Sequence, residues 1–108
     1  MEPLLVLTNV PDRALAEKLA HALVEARVAA CVNVLAPCRS IYRWQDAVES
    51  AEESPLMIKT TVTHYTAVEK LIRDHHPYAV PEVIAIPITQ GLPAYLDWLT
   101  QETESPGD

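Results

Sequence analysis

The sequence predicts an α+β domain in which an antiparallel sheet is covered by helices. Two observations predict this fold class. Short apolar runs rich in Val, Ile and Leu recur along the chain, which is typical of buried strands. Between them, two segments repeat apolar residues at the spacing of an amphipathic helix. The 108 residues leave room for one domain, and 49% hydrophobic with 21% charged residues is the balance of a compact globular protein.

The first strand and the first helix are expected near the N-terminus. Residues 4–10, LLVLTNV, form an apolar run that Pro11 and Asp12 end, as expected for a buried strand followed by a helix start. Apolar residues then recur at helical spacing, at Leu15, Leu19, Leu23 and Ala26. We therefore expect an amphipathic helix that packs on the sheet.

The middle of the chain predicts a long hairpin. Residues 28–35, VAACVNVL, form a second apolar strand, which Pro37 interrupts before the strand pattern resumes over 39–44. Gln45 and Asp46 are the expected turn of the hairpin, with Asp46 in a left-handed conformation.

The returning arm of this hairpin runs back toward the sheet. We expect it to break at Pro55 and to continue as a strand over 56–62. The two arms are far longer than the flanking strands, so the tip must project beyond the helices. Because exposed hairpins are marginal alone and their edges invite pairing, we expect the tip to pack against other subunits.

The C-terminal half repeats the alternation of helix and strand. Residues 64–76 predict a second amphipathic helix, which Pro77 ends. Residues 82–88, EVIAIPI, are the expected fourth strand, and a short closing helix is expected over 92–99. The order β-α-β-β-α-β plus a terminal helix is the split β-α-β arrangement of a ferredoxin-like sandwich. We expect one domain over 1–101 and an acidic flexible tail over 102–108.

Charge and composition disfavour several classes of partner. Fifteen acidic against eight basic residues give a net charge of −7, which argues against nucleic acid. The sequence has no signal peptide pattern and no apolar run near the ~20 residues that span a bilayer, so we expect no membrane partner and a cytoplasmic protein. Cys31 and Cys38 lie too far apart along an extended chain for a disulfide, so free thiols are expected.

The segment HHPYAVPE, residues 75–82, contains the best candidates for metal ligands. Neighbouring side chains on a helix point about 100° apart, but Pro77 drives His76 out of the helix, so its imidazole and that of His75 could converge. Imidazole suits copper and zinc, and Glu82 or a thiol could add a further ligand. The alternative is purely structural: His75 completes an apolar stripe, and His76 caps helix carbonyls in a rigid elbow.

A second group of residues could line a cleft between subunits. Tyr42 and Trp44 alternate on the projecting arm and would expose two large rings unless a neighbouring subunit or a ligand covers them. Lys59 lies in an apolar strand, where an unpaired ammonium group is costly. Cys31 is either a buried small apolar residue or has a ligand or redox role. With Tyr78, these residues are the candidates for such a cleft.

The sequence offers no recognisable catalytic motif. It has no Ser-His-Asp order, no nucleophile elbow and only two glycines, which disfavours a phosphate-binding loop. We therefore expect the protein not to be an enzyme.

Five segments in a fixed order resemble the CutA divalent-cation tolerance family, and the resemblance runs from about Leu4 to Leu99. The segments are AACVN (29–33), SIYRW (40–44), IKTTV (58–62), HHPYAVPEVIAIPI (75–88) and YLDWL (95–99). The resemblance implies a ferredoxin-like subunit in a tight homotrimer, similar in assembly to PII signalling proteins, with long hairpin arms that join neighbouring sheets. It also implies a link to tolerance of copper and other divalent cations.

The resemblance further implies a copper site made of paired histidines and a cysteine in the first strand. In this sequence those positions are His75, His76 and Thr8, so the soft ligand is missing. Three hypotheses follow: a trimeric metal-binding or metal-response protein, a PII-like sensor of a small anionic ligand that would need basic residues near Lys59, and an acylphosphatase-like enzyme. The last would need an anion-binding loop after the first strand, where no glycine occurs. No client protein is indicated.

Overall fold

A five-stranded antiparallel sheet and three α-helices make up residues 2–104, which this computed structural model describes. The elements, with a 3₁₀ turn (Val62–His64) before α2, are β1 (Pro3–Val10), α1 (Arg13–Glu25), β2 (Cys31–Val34), β3 (Cys38–Trp44), β4 (Ala47–Thr61), α2 (Tyr65–His75), β5 (Ile84–Pro87) and α3 (Pro93–Glu102). The sheet order is β2-β4-β1-β5, and β3 also pairs with β4. The α+β, ferredoxin-like fold expected from the sequence is confirmed.

The core lies between one face of the sheet and the helices α1 and α2. Along β1 every second residue from Leu4 to Val10 is buried, as a strand with one covered face requires. Asp12 caps α1 by accepting a 2.8 Å hydrogen bond from the Leu15 amide. The fully buried helix residues are Ala16, Leu19 and Leu23 in α1 and Val68 and Ile72 in α2. No helix in residues 2–104 is long and apolar enough to cross a membrane.

The long hairpin forms as expected at its interruption and at its tip. The chain between β2 and β3 contains Pro37, which confirms the predicted break. Gln45 and Asp46 connect β3 to β4 with φ of 49° and 65°, the paired left-handed conformation of a tight hairpin turn. The left-handed conformation predicted for Asp46 is confirmed.

The predicted break at Pro55 is wrong, because β4 is one continuous strand of 15 residues. The carbonyl of Pro55 accepts a 3.0 Å hydrogen bond from the Leu35 amide. In a strand the N–H and C=O of one residue point to the same side. The missing N–H of Pro55 therefore faces the segment between β2 and β3, where the ladder is already interrupted.

The last strand is shorter than the predicted 82–88, spanning only Ile84–Pro87 at the sheet edge. Its partner strand β1 would next offer the carbonyl of Asn9. That carbonyl instead accepts a 2.6 Å hydrogen bond from Nε2 of His76. A side chain thus takes the place of a backbone donor, and the pairing of β5 with β1 stops at Ile84.

The helix α3 extends beyond the predicted 92–99 into the segment expected to be a flexible tail. It ends at Glu102, and Thr103 is fully buried with its hydroxyl donating to the Leu99 carbonyl at 3.1 Å. Arg27 joins this end of α3 to the end of α1 by donating to the carbonyls of Glu104 at 2.8 Å and Gln101 at 3.2 Å. Residues 105–108 of the predicted tail lie outside the described residues.

The backbone of Arg27, with φ 60°, allows its side chain and its backbone to be tested separately. We expect Arg27→Ala to lower the free energy of unfolding by about 1–2 kcal/mol, because the bonds to α3 are lost while the left-handed backbone remains. Arg27→Gly loses the same bonds but relieves the backbone, so it should be about 1 kcal/mol more stable than Arg27→Ala. Denaturant unfolding at one fixed protein concentration measures both. Equal stabilities of the two variants would contradict the backbone argument.

Candidate functional site

The face of the sheet opposite α1 and α2 is apolar and incompletely covered. Cross-strand pairing places Leu5 beside Ile86 and Leu7 beside both Ile84 and Met57 on this face. Ile84 and Ile86 remain 49% and 46% exposed. Apolar side chains at this density on a sheet face are typical of a surface that another chain covers.

The projecting arm, which consists of β3 and the residues 47–53 of β4 that pair with it, exposes apolar side chains on both of its faces. Every residue from Ile41 to Ser50 is exposed. Tyr42 and Trp44 lie on one face at 43% and 46% exposure, and Ile41 and Val48 lie on the other at 71% and 68%. The exposure that the sequence predicted for Tyr42 and Trp44 is therefore present in the single chain.

A cleft of about 680 Å³ separates the arm from the segment 78–82 that precedes β5. Three of the five residues predicted to line a cleft come together here: Tyr42, Trp44 and Tyr78. Glu82, predicted as a metal ligand, lies in the same wall, as does Glu53. Cys31 and Lys59, the other two predicted cleft residues, are not in its lining.

Cys31 and Lys59 form a separate cluster on the open face of the sheet. They are direct cross-strand partners on β2 and β4, and Lys59 Nζ lies 3.9 Å from Cys31 Sγ. The ammonium group also donates to Oδ1 of Asn33, so its polar partners are an amide and a thiol. Tyr95 of α3 closes the cluster, and burial, followed by its contact with Cys31, raises the pKa of its hydroxyl.

Glu53 is the member of the cleft that sequence reasoning did not single out. It is only 8% exposed, whereas its neighbour Glu52 is exposed. Burial is the largest cause of the raised pKa of the Tyr78 hydroxyl. The charge of the Glu53 carboxylate and the hydrogen bond that it accepts from this hydroxyl raise the pKa further. The sequence carried no local signal for Glu53, because the segment 78–82 that lies against it is far along the chain.

The two histidines play different roles. His76 is 8% exposed and adopts an extended backbone, as Pro77 predicted. Its Nε2 donates to the Asn9 carbonyl, and its Nδ1 accepts from the Tyr78 amide at 3.2 Å, so both ring nitrogens are occupied. Nδ1 of His75 donates to the Leu71 carbonyl at 2.9 Å, which leaves its Nε2 available.

The predicted metal ligands do not converge within one chain. Glu82 accepts a 3.3 Å hydrogen bond from the Asn9 side chain, on the residue whose carbonyl holds His76. Thr8, the position of the missing thiol, is buried and its hydroxyl has no hydrogen-bond partner within residues 2–104. Over the same span, no three His, Cys, Asp or Glu side chains are grouped to hold a metal ion. Coordination by His76 through Nδ1 would require its hydrogen bond from the Tyr78 amide to break, whereas Nε2 could keep donating to the Asn9 carbonyl.

Known proteins similar to this chain carry one family name. A family profile described as CutA1 divalent ion tolerance protein matches residues 4–102. The divalent-cation tolerance protein CutA of Thermus thermophilus is 45% identical over 98 residues, covering 91% of this chain and 95% of that protein. The crystal structure of CutA1 from Shewanella sp. SIB1 superposes with a TM-score of 0.93 at 43% identity, covering 96% of this chain and 97% of that one.

Other relatives differ in length and in compartment. Human protein CutA is 44% identical over 98 residues, which are 91% of this chain but 55% of the human protein, so the chain spans about half of that relative. A solved CutA from Archaeoglobus fulgidus, 32% identical with a TM-score of 0.92 and covering 94% of this chain and 99% of that one, is described as periplasmic. The names therefore do not assign one compartment.

Stability measurements should separate the two histidines. We expect His76→Ala to lower the free energy of unfolding by about 2–4 kcal/mol, because it removes a buried ring and leaves the Asn9 carbonyl and the Tyr78 amide without partners. His75→Ala, the matched control on a half-buried neighbour, should cost less than about 1 kcal/mol. Denaturant unfolding measures both values. A cost for His76→Ala no larger than that for His75→Ala would refute the structural role of His76.

Proposed function

The chain belongs to the CutA1 divalent ion tolerance protein family, and on that premise we propose that it acts as a cytoplasmic homotrimer, without catalysis, in tolerance of divalent cations. The observation that carries the assembly is the exposed apolar surface of the arm and of the open sheet face. The threefold order follows from the resemblance to PII-like trimers. The cations concerned are copper and zinc, which imidazole ligands suit.

The exposed surface supports an oligomer because of its cost in water. Burying a large apolar side chain stabilises a protein by about 1.5–3 kcal/mol. The face of the arm opposite Tyr42 and Trp44 exposes two such side chains, Ile41 and Val48, and Ile84 and Ile86 of β5 add to them at the sheet edge. The edge strand β5 also leaves backbone groups that a neighbouring arm could pair with.

Metal binding is proposed to be modest and to centre on His75. Within residues 2–104, its Nε2 is the one ring nitrogen of the two histidines that makes no hydrogen bond. Because His76 is held and Thr8 cannot supply a thiolate, residues 2–104 of one chain do not form a high-affinity Cu(I) site. Cu(II) or Zn(II) would take His75 with water or with ligands from another subunit.

The runner-up, a PII-like sensor of a small anionic ligand, receives no support from the cleft. Two carboxylates, Glu53 and Glu82, lie in its wall, and no lysine or arginine does. Their charge would repel an anion. Lys59, the residue on which that hypothesis depended, lies outside the cleft and is engaged by Asn33.

The assembly can be tested with two matched double variants. Wild type at micromolar concentration should sediment at three times the 12.0 kDa chain mass. We expect Ile41→Ser with Val48→Ser on the arm to weaken association at least about tenfold, since apolar burial is lost. Val24→Ser with Val62→Ser, which alters two exposed valines away from the arm, should leave the mass unchanged. A wild-type monomer would end the proposal.

Copper titration tests the role of His75. We expect His75→Ala to abolish the tightest Cu(II) binding step measured by calorimetry, whereas His21→Ala on the exposed face of α1 should not. Thr8→Cys should strengthen copper binding if the site implied by the family is accessible here. Titrations of His75→Ala that match wild type would show that the elbow is structural only, whether or not the protein is a trimer.

A further inference from the structure

The cleft between the arm and the segment 78–82 has a lining suited to a positively charged organic group. Three aromatic rings, those of Tyr42, Trp44 and Tyr78, share its wall with the carboxylates of Glu53 and Glu82. Aromatic faces attract ammonium groups, and carboxylates accept their hydrogen bonds. The charged groups of the lining are therefore all negative, and the ring faces also favour positive charge, so the cleft should bind a cation.

The carboxylate of Glu53 gives the cleft a negative charge that a cation can pair with. A buried charge is costly unless it is paired, and Glu53 is 8% exposed. Its polar contact is the hydroxyl of Tyr78. Of the four ion pairs found within residues 2–104, none includes Glu53 or Glu82. A bound cation would supply the missing countercharge.

The size of the cleft distinguishes an organic cation from a metal ion. Its volume of about 680 Å³ falls within the roughly 300–1,000 Å³ of small-molecule sites. A metal ion would leave most of that space empty, and no three metal-ligating side chains are grouped in residues 2–104. Val80 and Pro81 add apolar lining that an alkyl chain can contact.

We propose that this cleft is a binding site for a small alkylammonium ligand, with Glu53 as its countercharge and Tyr42, Trp44 and Tyr78 as the rings around the ammonium group. The site is independent of the proposed metal binding, because His75 is not part of its wall. Its proposed ligand is a cation, whereas the PII-like hypothesis requires an anion. The competing occupant is a lysine or arginine side chain from a second copy of the chain.

Calorimetry with butylammonium chloride tests the site, with butanol as the neutral analogue and butyrate as the anionic one. We expect butylammonium to bind at least about tenfold more tightly than either, since it alone places a positive charge against the Glu53 carboxylate. Glu53→Gln should weaken that binding about tenfold or more. Glu52→Gln, the matched control on the adjacent exposed position of β4, should change it less than about twofold.

A second variant and a spectroscopic measurement keep the test valid if Glu53→Gln does not fold. Tyr78→Phe keeps the ring and removes the hydroxyl that contacts Glu53, so it should retain the preference for butylammonium over butanol. In wild type, bound butylammonium should lower the pKa of Tyr78, read from phenolate absorbance, because it offsets the charge of Glu53.

Three outcomes would overturn the proposal. The first is equal affinity for butylammonium and butanol, and the second is unchanged affinity in Glu53→Gln. The third combines two results: wild type binds no butylammonium, and the trimer of Glu53→Gln dissociates. Together they would show that a basic side chain of a second copy occupies the cleft. The Cu(II) titration of Glu53→Gln should match wild type, so failure of this site leaves the metal proposal untouched.

Discussion

The architecture depends on β4, because this one strand pairs with three others. Its N-terminal half pairs with β3 to form the arm, and its C-terminal half lies between β2 and β1. Because the register is fixed where Val6 meets Ile58 in the core, the side-chain direction is fixed along the whole strand. The buried core therefore determines which residues the arm turns toward the cleft, although the arm itself has no core.

This constraint explains why apolar residues of the arm are left exposed. A two-stranded ribbon has no third layer to cover its side chains, so it is marginal unless another surface packs on it. The tight turn at Gln45 and Asp46 fixes the pairing of Tyr42 with Glu49, and the alternation along the strand follows. The same geometry that favours assembly also forms one wall of the cleft, with the segment 78–82 as the other.

Local chemistry made much of this fold predictable. The order of elements, the break at Pro37 and the extended backbone of His76 follow from apolar periodicity and from the effect of proline on its neighbours. The continuity of β4 through Pro55 could not be predicted, because it depends on which side of the strand faces an interrupted ladder. The burial of Glu53 was missed for a related reason: the segment that encloses it lies far along the chain.

The role of His76 links the elbow to the cleft. By donating to the Asn9 carbonyl it takes the place of a backbone donor where the β1–β5 ladder ends, and by accepting from the Tyr78 amide it holds the start of the segment 78–82. Its ring lies 4.6 Å, between centroids, from that of Tyr78, which contacts Glu53. Because Nδ1 of His76 already accepts from the Tyr78 amide, the ring is a poor metal ligand, but its two hydrogen bonds make it a good positioning residue. The paired histidines thus differ in their contacts: His75 uses only Nδ1, which donates to the Leu71 carbonyl, and His76 uses both ring nitrogens to hold the start of the segment 78–82.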